Sequence, residues 1–204
     1  TSFVWFALTC WIYIETQSVM ATSYLAGVYL VATALSGFWF GSIVDHHKKK
    51  TAMTISSIAT LAFFIIGLLF FLSTPIEAFQ VVESWQLWTL VLLLMAGVTS
   101  ANIRNIALPT TVTILVEEDK RDKANGLSGS MMGIVFSITS FASGFVLAYG
   151  GMRTVLIAAV ICTLLALLHL LFISIPEKKI VHIDKQPKID IKGTFAVIKQ
   201  VPGL

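Results

Sequence analysis

Long apolar runs alternate with short polar breaks along this chain. The breaks are where a chain embedded in hydrocarbon would have to surface. Val19 to Ile43, Ala52 to Leu72 and Ala124 to Tyr149 carry no charged residue, and neither does Val155 to Ile175. Each reaches the roughly 20 residues that an α-helix, rising about 1.5 Å per residue, needs to cross about 30 Å of hydrocarbon. Trp85 to Leu108 is as long, opens on paired tryptophans, and contains one charge, Arg104. Phe3 to Ile14 is apolar and aromatic but shorter, so it reads as the outer part of a helix that begins before the chain does. The pattern predicts six spans, at 3–14 (partial), 19–43, 52–72, 85–108, 124–149 and 155–175. Pro109 is expected to kink or end the fourth. Residues 1–175 then form one transmembrane bundle. Residues 176–204 form a lysine-rich connector leading toward a seventh helix. With an apolar start and no polar closing tail, both ends read as cut.

Charge sharpens this picture. Only 12% of the 204 residues are charged, against about a quarter in soluble domains. Twelve of the fourteen Lys and Arg residues fall in three places: 45–50, 117–123 and the segment 176–204. Alternation of six spans puts these three on the same side, and cytoplasmic loops are the ones that collect cations. They are therefore expected to be cytoplasmic, with the lipid bilayer as the first partner. Basic residues in short clusters between apolar spans do not suit nucleic acid.

Candidate chemistry is sparse. Cys10 and Cys162 sit in apolar runs without metal-ligand spacing and read as buried small hydrophobes. No His-Glu-x-x-His, no Gly-x-Ser-x-Gly and no phosphate-cradling Gly-rich loop ending in Lys-Ser/Thr is present. The chain is thus expected to be no enzyme, to hold no metal or cofactor, and not to use ATP by itself.

The break at 41–50 carries a resemblance. Gly41, Asp45, Lys49 and Lys50 match the loop signature Gly-x-x-x-Asp-[Arg/Lys]-x-Gly-[Arg/Lys]-[Arg/Lys] between the second and third helices of major facilitator superfamily transporters. His46 stands for the first cation and Lys48 for the second glycine. Leu108-Pro109, Val116-Glu117-Glu118 and Ala124-Asn125-Gly126-Leu127 resemble the fourth-to-fifth-helix junction of the drug and macrolide exporter branch. Of the antiporter signature in the fifth helix, only Gly144 agrees.

The resemblance implies an all-α membrane protein. The chain would be the six-helix N-terminal bundle of a twelve-helix alternating-access transporter, its first helix truncated. It also implies a missing C-terminal half and a secondary transporter of the bacterial inner membrane, exporting drugs or other amphiphilic small molecules with protons as the coupling ion. A metabolite or lipid transporter of the same fold is the alternative, and a non-transporting membrane sensor or assembly factor is the alternative of another class.

Residue by residue, Gly41, Asp45, Lys49 and Lys50 read as a conformational latch by resemblance; the charge pattern alone would make Asp45 a solvated loop acid. Arg104, flanked by Asn102 and Asn105, either contacts substrate or snorkels to the headgroups. Glu15 is a candidate coupling carboxylate or a wetted turn residue, and His169 a titrating group or an ordinary intrahelical histidine. Gly126, Gly133 and Gly144 give the fifth span a small face suited to helix packing. Asp45→Asn in the full-length protein is expected to leave membrane abundance near normal and to cut transport strongly in vesicles. Wild-type transport by the mutant would refute the latch.

Overall fold

The computed structural model describes residues 1–175, without the side chains of Phe38, Asp45, Thr113 and Ile114. The connector at 176–204 and the carboxylate of Asp45 therefore lie outside the described residues. Helices are α1 (Ser2–Thr16), α2 (Val19–His46), α3 (Lys49–Ser73), α4 (Trp85–Ser100), α5 (Asn102–Leu115) and α6 (Arg121–Phe172), with 3₁₀ turns at Ile76–Phe79 and Glu118–Lys120. Among the described residues there is no strand. Four stretches are long and apolar enough to cross a membrane: Val19–Gly37, Lys49–Ser73, Trp85–Val112 and Glu118–Phe172; α1 is apolar but shorter.

Helix ends follow local chemistry. Gln17 takes the left-handed conformation (φ 50°) that closes α1, its N–H donating to the Tyr13 carbonyl. One residue on, the Ser18 hydroxyl accepts from the Ala21 N–H at 3.2 Å and starts α2. Ser84 caps α4 in the same way through Leu87. At 52 residues, α6 would be about 78 Å long if straight, more than twice the hydrocarbon thickness. It is not straight: Gly151 has φ 66° and ψ 178°, values that break the helix into two arms and that a residue with a Cβ rarely adopts. Phe6 meets Phe136 of the first arm, with ring centroids 5.0 Å apart. Further along both elements, Trp11 and Ile14 share a cavity with Leu147 and Gly151, so the first arm runs parallel to α1. Gly151 and Phe71 line that same cavity, while Leu171 reaches Lys50 at the other end of α3. The second arm therefore runs antiparallel to α3, and the chain reverses at Gly151.

The core centres on α1 and α4. Val4, Ala7, Leu8, Trp11 and Ile12 are buried along one stripe of α1, and Leu87, Leu90, Val91, Leu94, Met95 and Val98 along one stripe of α4, the spacing of helical faces that meet. Against α4 packs an α3 face of a different kind: Ala52, Ser56, Ser57, Thr60, Phe64 and Gly67. The Ser56 hydroxyl donates to the Ser100 carbonyl at 2.7 Å and Thr60 to the Gly97 carbonyl at 3.2 Å. Small and hydroxyl residues give such helices close approach plus interhelical hydrogen bonds. A Cβ on Gly97 would lie 2.7 Å from the Phe64 ring, and one on Gly67 2.8 Å from Leu94, so each glycine receives a side chain of the facing helix.

This seam also bears on where the fourth apolar run is interrupted. Pro109 sits inside α5, and the helix continues past it to Leu115; the interruption falls at Ala101, between α4 and α5. There Ser100 back-bonds to the Ala96 carbonyl at 2.7 Å while its own carbonyl accepts from Ser56. Hydroxyls that engage carbonyls here compete with the helical ladder, and the Arg104 N–H turns to the Ala101 carbonyl instead.

Many large apolar side chains face outward, with Phe141, Tyr149 and Phe172 among the most exposed. An exposed apolar surface this continuous belongs against lipid or another apolar body. Cys10 and Cys162, expected inside, are both exposed. An apolar run marks the interior only when the surroundings are water, and here they are not. Gly97→Ala should lower stability by about 1–3 kcal/mol through overpacking against Phe64. Phe64→Leu in the same chain should recover part of that loss, read by thermal unfolding in detergent. An unchanged melting temperature in Gly97→Ala would show that the seam is looser than described.

Candidate functional site

One end of the bundle gathers the charged loops. Lys49 Nζ donates to the Val44 carbonyl at the end of α2. Lys50 Nζ donates to the Leu171 carbonyl, at 3.1 Å, at the end of α6. Arg121 Nε donates to the Val116 carbonyl just past α5, at 3.2 Å. Three cations thus cap three helix C-termini, where the last carbonyls have no helical partner and the dipole favours positive charge. His46 and His47 turn back in the same way, their Nδ1 atoms 2.8 and 3.1 Å from the Ser42 and Ile43 carbonyls. Gly41 is half-buried and faces open space. Lys120 pairs with Glu117, both exposed. Such a surface pair stabilises little.

The polar residues of the fourth apolar run separate in space. Arg104 is half-buried and directs Nη1 toward the Ser57 hydroxyl of α3, at 3.4 Å. Asn102 and Asn105 face the other way, into a cavity of about 140 Å³ whose walls include Trp5 and Tyr29 on one side and Phe136 of α6 on another. Asn105 Nδ2 donates to Asn102 Oδ1 at 3.3 Å. The Asn102 Nδ2 is buried and has no hydrogen-bond partner among the described residues. Trp5 and Tyr29 pack with ring centroids 4.2 Å apart and planes 31° apart.

This cavity adjoins a cleft of about 760 Å³, with which it shares Asn105 and Phe136; Met131, Met132 and Thr139 line the cleft from α6. A further cavity of about 380 Å³ continues the same wall to Pro109, Asn125 and Gly129, toward the charged loops. No Asp, Glu, Lys, Arg or His side chain lines any of the three. The opposite end is packed with rings: Trp11 lies edge-on to Phe71 and Phe79, and the latter two stack at 5.4 Å.

The other sequence candidates are elsewhere. Glu15 is at the ring-packed end, accepting from Gln80 Nε2 at 3.3 Å, and lines a separate cavity of about 300 Å³ with Arg153. His169 is exposed on the second arm of α6 and lines none of these cavities. A Cβ on Gly126, Gly133 or Gly144 would meet nothing within 4 Å, so the close approach expected there has no partner among the described residues. The glycines that do admit a neighbouring helix are Gly67 and Gly97. Sequence reasoning passed over Gly67 and Phe136 as parts of apolar runs. The signal available for Gly67 was its place on one face of α3 with Ser56 and Thr60 at helical spacing.

An α-helical bundle with an apolar exterior, charge confined to helix ends and a polar-dotted cavity between helices defines a polytopic membrane protein built to hold a small molecule. The family model of the Major Facilitator Superfamily matches residues 1–201, and the chain belongs to that superfamily. It is therefore an integral membrane protein of a family of secondary transporters rather than of enzymes. Neither curated proteins nor solved structures gave a match.

Replacing Lys50 by Met should lower stability by roughly 0.3–1 kcal/mol at low salt, the usual worth of a cation at a helix C-terminus. Lys50→Arg should largely preserve it. Thermal unfolding at low and high ionic strength reads both, and equal stability of the Met variant would remove the capping role.

Proposed function

We propose that this chain forms one bundle of an alternating-access exporter that moves amphiphilic small molecules out of a bacterial cell, driven by protons. The observation that carries the reading is the largely apolar cleft of about 760 Å³ between α5 and the first arm of α6, lined by no charged side chain. Ligand sites of this size that are mainly apolar with a few polar groups suit amphiphiles. The cleft's wall continues toward the end that bears the 45–50 and 117–123 loops. With that end cytoplasmic, as the clustering of cations favours, compounds would be collected from inside the cell.

Six crossings, alternating in direction, fit the parallel packing of α1 with the first arm of α6 and the reversal at Gly151. Residues 129–138 of that arm and much of α2 are exposed. In the proposed transporter these faces, with Gly126, Gly133 and Gly144, meet a second bundle across the cavity, the arrangement of repeat-built transporters. Gly41, Asp45, Lys49 and Lys50 act as the latch at the cytoplasmic end. Lys50 is well placed for this, since it ties the start of α3 to the end of α6. Arg104, directed at α3, then holds the bundle together, and Asn102 and Asn105 meet the cargo. Glu15 remains the candidate for proton coupling at the far end.

Cells expressing the full-length protein should tolerate lipophilic dyes and antibiotics at several-fold higher concentration than cells without it, and an uncoupler should abolish the difference. Tolerance that survives the uncoupler would refute proton drive. Energy-dependent accumulation in place of loss would refute export.

A further inference from the structure

The cavity of about 300 Å³ at the end of the bundle away from the charged loops is lined by one acid and one base, Glu15 and Arg153. The geometry points to a second binding site there, for a compact zwitterion: one small molecule that carries an ammonium, an acid group and an apolar side group. The cavity shares no lining residue with the cleft between α5 and the first arm of α6. The site therefore stands whether or not that cleft carries an exported compound.

Its walls are apolar and held in place. Trp11 is buried and packs edge-on against Phe71 and Phe79, while Leu147 and Met152 line the cavity from either side of the Gly151 turn. The volume is at the lower end of the range for small-molecule sites, which suits an occupant of amino-acid size rather than drug size.

The two charges come from different elements. Glu15 lies near the C-terminal end of α1, half-buried, and its Oε2 accepts from Gln80 Nε2 at 3.3 Å. Gln80 is uncharged, so it orients the carboxylate without neutralising it. Arg153 follows directly on the chain reversal at Gly151. Among the described residues neither Glu15 nor Arg153 takes part in an ion pair, although both line the same cavity. An acid and a base that share an apolar cavity without pairing match a ligand that brings one charge of each sign. Charge-assisted hydrogen bonds are the strong ones, and a site that uses two of them discriminates against an analogue lacking either group.

Phenylalanine, phenethylamine and 3-phenylpropionate share one ring and differ in charge: the amine lacks the carboxylate and the acid lacks the ammonium. Calorimetric titration of the full-length protein in an uncharged detergent should show phenylalanine binding about tenfold more tightly than either analogue, the effect of one charged hydrogen bond. Glu15→Gln should abolish the preference over 3-phenylpropionate and keep that over phenethylamine. Arg153→Gln should do the reverse. Neither side chain is buried, so both variants are expected to fold. Repeating the titration in nanodiscs that contain phosphatidylethanolamine distinguishes the source of the zwitterion. A weakened apparent affinity assigns the site to the lipid headgroup, and an unchanged one to a soluble molecule. Absent or equal binding of the three probes by the wild type, or preferences that survive both substitutions, would overturn the site. The readout is equilibrium binding, so failure of export or of proton drive leaves it unaffected.

Discussion

Hydrocarbon tolerates neither a bare charge nor an unpaired backbone group, and the architecture of this chain follows from that one constraint. Every crossing segment is helical because a helix satisfies its own backbone. Where helices end, the last carbonyls still need partners, and at one face of the bundle those partners are the lysines and arginine of the loops. Lys49, Lys50 and Arg121 close α2, α6 and α5 in turn. The loop cations on which the proposed orientation rests are thus also the ones that finish its helices.

Within the bundle the same constraint shapes the packing. Lipid offers no hydrophobic drive for one apolar helix to leave it for another, so association depends on close contact and hydrogen bonds. The α3–α4 seam supplies both: Gly67 and Gly97 admit Leu94 and Phe64, and Ser56 and Thr60 bond to carbonyls across the gap. The Ser56 hydroxyl that ties α3 to α4 also engages the Ser100 carbonyl at the interruption before Ala101. Just beyond it α5 begins, with Asn102 and Asn105 on the side of α1 and α6 and Arg104 on the side of α3. A packing device therefore positions the polar face of the cavity.

The membrane-embedded, all-helical class was legible in the sequence because charge is so sharply segregated. The site was legible only as a neighbourhood. Asn102, Arg104 and Asn105 stood out together as polar residues in an apolar run, yet a helix turns 100° per residue and divides them between two faces. That division depends on which neighbour lies where, which no local pattern records. Gly67 and Gly97 were hard to single out for a similar reason: small residues occur along most of these helices, and only the facing side chain distinguishes a contact from an open face. Pro109 drew the eye as the natural helix breaker, whereas α5 continues past it and the interruption falls at Ala101, where serine hydroxyls compete for carbonyls. Cys10 and Cys162 were misplaced because burial was inferred from hydrophobicity, an inference that holds in water and fails in lipid.

The central claim is that the charged loops and the ring-packed end lie on opposite faces of the membrane, with the cleft between them. Single cysteines at Lys48, Lys123, Glu77 and Glu83, introduced after Cys10 and Cys162 are replaced by alanine, test it with a membrane-impermeant thiol reagent. The account predicts labelling at positions 48 and 123 only in inside-out vesicles, and at 77 and 83 only in right-side-out cells. Labelling of both groups from one side would contradict it.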